Sequence, residues 1–90
     1  MRKKPYSNQP GLLGLFVHVY KDGEIDEQGR IERVDGSFGY VQLYSWLSGD
    51  PMHIKAYGRK FLRSDNCKLY LTQKDWTHAA DMEGRKHGNA

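Results

Sequence analysis

Apolar and polar residues alternate over several short stretches of the chain, and a period of two residues predicts β-strands. Turn signals separate the stretches, such as Asp22-Gly23 and Asp35-Gly36. The apolar pair Phe61-Leu62 is a candidate extension of one strand after a bend. The pattern predicts five strands, at residues 15–20, 28–34, 38–47, 52–57 and 67–71.

The alternation ends near residue 72, and the spacing of apolar residues becomes helical. Thr72 stands three residues before Asp75, which is typical of the start of a helix. A short helix would end at Gly84. Its apolar side would carry Trp76, Ala79, Ala80 and Met82.

Short strands joined by tight turns and followed by one helical segment predict a mainly β protein. Closure of such a sheet removes unpaired strand edges, so we expect a five-stranded antiparallel SH3-like barrel with a short C-terminal helix. An OB-like barrel is the alternative, although it usually has longer strands. The predicted layout is a flexible basic arm at 1–10, a single β-barrel domain at 11–83 and a polar tail at 84–90.

Composition narrows the class of protein. A chain of 90 residues is long enough for one small domain. It has no apolar run of about 20 residues, so we expect no membrane-spanning helix. The single cysteine, Cys67, has no internal disulfide partner and is expected to be a buried structural thiol in a reducing, cytoplasmic environment.

Charge is unevenly distributed along the chain. The net charge of +3 is the remainder of +3 in residues 1–10, −4 in residues 11–50 and +4 in residues 51–90. Such asymmetry can orient a partner. Pairing of the two halves across strands, with the charges largely cancelling, is an equally open interpretation.

Aromatic residues concentrate on one side of the third predicted strand. A period of two places Val41 and Leu43 on one face and the aromatics on the other. Exposed Tyr and Trp are typical of recognition surfaces, although the C-terminal segment with Trp76 is an alternative cover for them. The candidate protein-binding residues are Tyr20, Tyr40, Gln42, Tyr44 and Trp46.

Basic and aromatic residues also alternate in the segment 55–70. Phosphates require positive charge, and unstacked bases require flat rings, so this composition makes nucleic-acid binding the alternative function. An ordinary solvated face has the same composition, and no RNP, zinc-finger or helix-turn-helix signature accompanies it. The candidate residues are Lys55, Tyr57, Arg59, Lys60, Arg63, Lys68 and Tyr70.

Signals for catalysis and metal binding are weak. The four histidines lack the spacing of a metal motif, and the acidic run from Asp22 to Glu27 lacks the glycine and the final glutamate of a calcium loop. We find no phosphate-binding glycine motif or nucleophile elbow. We therefore expect no catalytic residues, no metal, no cofactor and no small-molecule substrate.

One segment of the chain resembles a known group of proteins. Gln28-Gly29-Arg30-Ile31, followed by the segment 39–51 with Val41-Gln42-Leu43 and Ser45-Trp46-Leu47, resembles a block in short uncharacterised bacterial and phage proteins. That resemblance implies a small β-barrel and no activity. More loosely, the chain is similar to SH3-like barrels of the KOW and Tudor type.

A second loose likeness concerns Val41-Gln42-Leu43-Tyr44. It is similar to a strand of the trimethoprim-resistant dihydrofolate reductases, which are SH3-like, but it lies in an earlier strand than that layout requires. The expectation is thus a non-enzymatic interaction module that binds an unidentified protein or a second copy of itself, with DNA or RNA binding as the alternative.

Overall fold

The computed structural model describes residues 11–88, and side chains up to Met82. The predicted arm at 1–10 lies outside the described residues. The elements are β1 (Phe16–Lys21), β2 (Glu24–Asp35), β3 (Phe38–Tyr44), β4 (Pro51–Gly58), α1 (Arg59–Leu62), β5 (Cys67–Tyr70) and α2 (Gln73–Gly88).

The five strands form one antiparallel sheet in the order β4-β3-β2-β1-β5. The prediction of a mainly β, five-stranded antiparallel fold with a C-terminal helix is therefore confirmed. Closure into a barrel is not found: within residues 11–88, β4 and β5 lie at opposite edges of the sheet and do not pair.

Strand bounds differ from the predicted ones where pairing or a turn intervenes. β2 begins at Glu24 because the acidic residues pair with the end of β1. β3 ends at Tyr44, since the backbone turns at Ser45, whose N–H donates to Asp50 O at 2.9 Å. The turn around Gly36, where φ is +59°, is the hairpin that the sequence predicts.

Two helical segments correct the sequence interpretation. Phe61 and Leu62 belong to α1 rather than to an extension of β4, and Leu62 is fully buried against the sheet. Helix α2 continues through Gly84 to Gly88, so the predicted end at Gly84 is wrong. A single glycine costs a helix only about 1 kcal/mol, which does not by itself end it.

Strand β2 is long enough to pair with two neighbouring strands. Its first half pairs with β1 and its second half with β3, and Gly29 pairs with both Val17 and Leu43. A Cβ atom on Gly29 would lie 2.3 Å from the carbonyl oxygen of Gln42. Glycine therefore permits the close approach of β2 and β3 at the point where β2 passes from one neighbour to the other.

The core lies on one face of the sheet. Val17 and Val19 of β1 and Val41 and Leu43 of β3 point into it, as the period of two predicts. Leu62 of α1 packs so closely over Gly39 that a Cβ there would lie 2.7 Å from Leu62 Cδ1. The remaining buried members are Leu12, Ile31, Tyr57 and Cys67.

Glu27 connects β2 to β4, although these strands are not neighbours in the sheet. Its carboxylate lies 3.1 Å from Lys55 Nζ and accepts a hydrogen bond from the Tyr57 hydroxyl. Burial alone would raise the pKa of Glu27. The hydrogen bonds from Tyr57 and Lys55 have the larger, opposite effect together with the nearby positive charge, so the pKa lies below its ordinary value. The contact shows that the sheet curls, bringing β4 over the first half of β2.

We predict that Gly29→Ala lowers the free energy of unfolding by about 3 kcal/mol, because the added methyl group must displace the Gln42 carbonyl. Gly58→Ala is the matched control, since a Cβ at Gly58 meets nothing within 4 Å. Urea denaturation should show the control within about 1 kcal/mol of wild type. Equal stability of the two variants would contradict the close approach at Gly29.

We predict that Tyr57→Phe destabilises the protein by about 1–2 kcal/mol at pH 7, since a hydrogen bond to a charged carboxylate is lost. Because the folded pKa of Glu27 is depressed, this contribution is present above the unfolded pKa and disappears as the pH falls through the folded pKa. Denaturation at pH 7 and pH 3 should therefore show a smaller difference from wild type at pH 3. Tyr40→Phe, on the opposite face of the sheet, should show no such pH dependence.

Candidate binding groove

The face of the sheet opposite the core carries aromatic and polar side chains. Strand pairing aligns Phe16 with Arg30, and Arg30 with Gln42, in one row across β1, β2 and β3. Phe16 also pairs with Tyr70 of β5. We call this surface the aromatic face; it carries Phe16, His18, Gln28, Arg30, Tyr40, Gln42, Tyr44 and Tyr70.

Trp76 attaches α2 to the aromatic face. The Thr72 hydroxyl accepts a hydrogen bond from the backbone N–H of Asp75 at 3.1 Å, which supports the start of the helix. One turn later, Trp76 is buried, and its indole Nε1–H donates to Val17 O at 3.0 Å. Its ring centre lies 5.1 Å from that of Phe16 and 5.7 Å from that of His18. Of the two arrangements that the sequence leaves open, the structure has the C-terminal segment covering part of this face.

A groove lies between α2 and the part of the aromatic face that the helix leaves uncovered. Its volume is about 570 Å³. Trp46 stands at its edge with 48% of its surface exposed, and its ring centre lies 6.3 Å from that of His18. The sheet side of the groove consists of Phe16, Gln28, Arg30, Tyr44, Ser45, Trp46 and Gly49, and the helix side consists of Gln73, Trp76, Thr77, Ala80 and Asp81.

Charged groups occur on both sides of this aromatic lining. Arg30 on the sheet side lies 5.6 Å above the centre of the Phe16 ring and forms an ion pair with Glu32 at 3.1 Å. Asp81 supplies a carboxylate on the helix side. The groove thus combines flat apolar walls with one cation and one anion that can orient a polar backbone or side chain.

The structure places two of the five predicted protein-binding residues in the groove, Tyr44 and Trp46. Gln42 instead donates from Nε2 to Met52 O at 2.9 Å, which ties β3 to β4. The Tyr40 ring lies 4.3 Å below the Arg33 guanidinium carbon. The Tyr20 ring lies 5.3 Å from Lys68 Nζ. These last three are not part of the groove lining.

The predicted nucleic-acid residues separate into several environments. Lys55 forms an ion pair with Glu27, and Lys68 lies over Tyr20. Tyr57 is buried and stacks on Phe61 at 5.6 Å, so its ring face is not available to a base. Tyr70 packs beside His18, with ring centres 5.1 Å apart. The structure brings Arg59, Lys60 and Arg63 together around a second cleft.

The sequence pattern did not identify the other ten groove residues as binding residues, and three of them lie on β1 and β2: Phe16, Gln28 and Arg30. The available signal was the period of two in the first two strands. Phe16 and His18 share a face, and antiparallel pairing places Arg30 and Gln28 opposite them. Because β2 carries several charges, its outward residues do not differ in type from those of an ordinary solvated strand face.

Three further features concern the cysteine, possible metal ligands and possible membrane-spanning helices. Burial raises the pKa of the Cys67 thiol to about 11, so it is protonated at neutral pH. Among the described residues, no group of three or more His, Cys, Asp or Glu is placed to hold a metal ion. Within the same part of the chain, no helix has the length and apolar character needed to cross a membrane.

No family model, curated protein or solved structure matches the chain. The functional proposal therefore rests on the geometry of the groove and on the chemistry of its walls.

The two tryptophans of the chain should differ in their effect on stability. We predict that Trp76→Ala lowers the free energy of unfolding by about 3 kcal/mol or more, because a buried ring and the bond to Val17 O are lost. Trp46→Ala removes a half-exposed ring and should cost about 1 kcal/mol or less. Urea denaturation of both variants measures the difference; equal losses would contradict the docking of α2 through Trp76.

Proposed function

We propose that the protein is a small non-enzymatic interaction module that binds an extended segment of a partner protein in the groove. The observation that carries the proposal is the set of four aromatic rings, Phe16, Tyr44, Trp46 and Trp76, that line one cleft. Tyr and Trp dominate protein interfaces because they offer large rigid area together with a polar group. The exposed ring of Trp46 is the expected anchor.

The size and charge of the groove define the partner segment. A volume of about 570 Å³ suits one or two large side chains rather than a whole protein surface. We expect the segment to insert an apolar or aromatic side chain between Trp46 and Trp76. A flanking acidic group would face Arg30, and a flanking basic group would face Asp81.

An SH3-like relationship is part of the proposal. It is supported by the pairing of β1 with β5, by the long β2 shared between β1 and β3, and by the short helix between β4 and β5. The proposed form is an open one, in which α2 covers the aromatic face. The proposed compartment is the cytoplasm, because a free buried thiol such as Cys67 suits a reducing environment.

Selection of peptides from a random displayed library tests the proposal. We predict that the protein enriches peptides with an apolar or aromatic anchor and that these bind with micromolar affinity. Trp46→Ala should weaken the binding of such a peptide about tenfold or more, since an aromatic anchor site is removed.

Leu47→Ala provides the matched control. Leu47 is 99% exposed and adjoins Trp46 in sequence, but it does not line the groove. Its replacement should leave peptide affinity unchanged. Failure to enrich any peptide, or equal binding by wild type and Trp46→Ala, would overturn the proposal; enrichment of peptides that match the chain's own sequence would identify a second copy as the partner.

A further inference from the structure

A second cleft lies at the corner where α1 follows β4. Its volume is about 600 Å³. The Phe38 side chain lines it with 48% of its surface exposed, and the pairing of Phe38 with Gly58 holds the ring beside α1. We call this site the basic corner; it is lined by Ser37, Phe38, Gly58, Arg59, Lys60 and Arg63.

Three cations line the same cleft as the exposed ring of Phe38. Arg59 is held in place, because its Nη1 donates to Gly36 O at 3.0 Å and its backbone N–H donates to Ser37 O at 2.8 Å. Lys60 of α1 and Arg63, the residue that follows α1, are both exposed. The nearby carboxylate of Asp35, which pairs with Phe38 across the hairpin, lies 3.9 Å from Arg33.

We propose that the basic corner binds a single-stranded nucleic acid, with a base stacked on Phe38 and the neighbouring phosphates on Lys60, Arg63 and Arg59. The argument is charge complementarity together with an exposed flat ring. Among the described residues, none of the three cations forms an ion pair, since the nearby Asp35 pairs with Arg33. Phosphates would supply the negative charge, and every base has a face that can stack on an aromatic side chain. An acidic protein segment would satisfy the cations but would leave the ring of Phe38 without a stacking partner.

The site differs from the segment that sequence reasoning selects. Phe38 is separated from the basic residues by about twenty positions, and only the β3–β4 pairing brings it beside Arg59. Of the two predicted stacking residues of that segment, Tyr57 and Tyr70, Tyr57 lies in the core. The basic corner is also separate from the groove, since the two linings share no residue.

Fluorescence anisotropy with a labelled oligothymidylate of roughly 12 nucleotides tests the proposal. Binding should weaken roughly 15- to 20-fold as salt rises from about 50 to about 200 mM, as expected for three phosphate contacts on a single strand. Lys60→Gln combined with Arg63→Gln should reduce this salt dependence. Lys21→Gln is the control for lost charge and should behave nearly as wild type, because Lys21 ends β1 and pairs with Glu24, at the end of β2 away from the basic corner.

Phe38→Ala separates stacking from simple attraction between charges. It should weaken binding about tenfold, whereas Leu71→Ala, which removes another exposed apolar side chain, should have no effect. Circular dichroism verifies that each variant is folded. If Phe38→Ala does not fold, the variants that remove charge still test the site independently. No binding at low salt, or equal binding by Phe38→Ala and wild type, would overturn the proposal. Binding that is lost in Trp46→Ala and kept in Phe38→Ala would place the nucleic acid in the groove and would also overturn it.

Discussion

The absence of a side chain at Gly29 is the constraint on which the rest of the structure depends. At this residue β2 pairs with β1 on one side and with β3 on the other. The Gln42 carbonyl and the Val41 side chain occupy the space that a Cβ would need. Because the strands approach so closely there, one long strand can hold both halves of the sheet together. The curl of the sheet then brings Tyr57 and Lys55 of β4 to Glu27, where a carboxylate with a lowered pKa joins the two halves.

The curled sheet has one face that forms the core and another that carries the proposed binding groove. Its core face is filled by aliphatic side chains, by Tyr57 and by Leu62 of α1. Helix α2 covers part of the aromatic face through the buried indole of Trp76. The helix leaves Trp46 half exposed. The same packing that stabilises the C-terminal helix therefore forms one wall of the proposed binding groove.

Local pattern was sufficient to predict the five strands, though not all their bounds, the turns, and the inward direction of Val41 and Leu43. It predicted the first residues of α2 as well, because Thr72 and Trp76 follow helical rules. It failed at Gly84, where helix propensity was given too much weight, and at α1, where an apolar pair was interpreted as strand. At α1 the burial of Leu62 outweighs local preference, and at Gly84 one unfavourable residue is not enough to end the helix.

The candidate sites depend on contacts between residues that lie far apart in the sequence. Tyr44 and Trp46 could be predicted because they alternate along the third predicted strand, although β3 itself ends at Tyr44. Arg30 joins them only through the pairing of β2 with β1 and β3, and Phe38 meets Arg59 only through the pairing of β3 with β4. Such pairings between strands are fixed by the whole sheet, so residue type and spacing alone could not supply them.

The indole N–H groups of the two tryptophans give the most direct test of the central claim, that the groove is a protein-binding site. They produce separate signals in a ¹⁵N–¹H correlation spectrum, and single replacements assign them to Trp46 and Trp76. On addition of an enriched peptide, the Trp46 signal should shift together with the backbone signals of Tyr44 and Arg30, while that of Lys21 stays in place. Peptide-induced shifts that leave Trp46, Tyr44 and Arg30 unchanged would contradict the account.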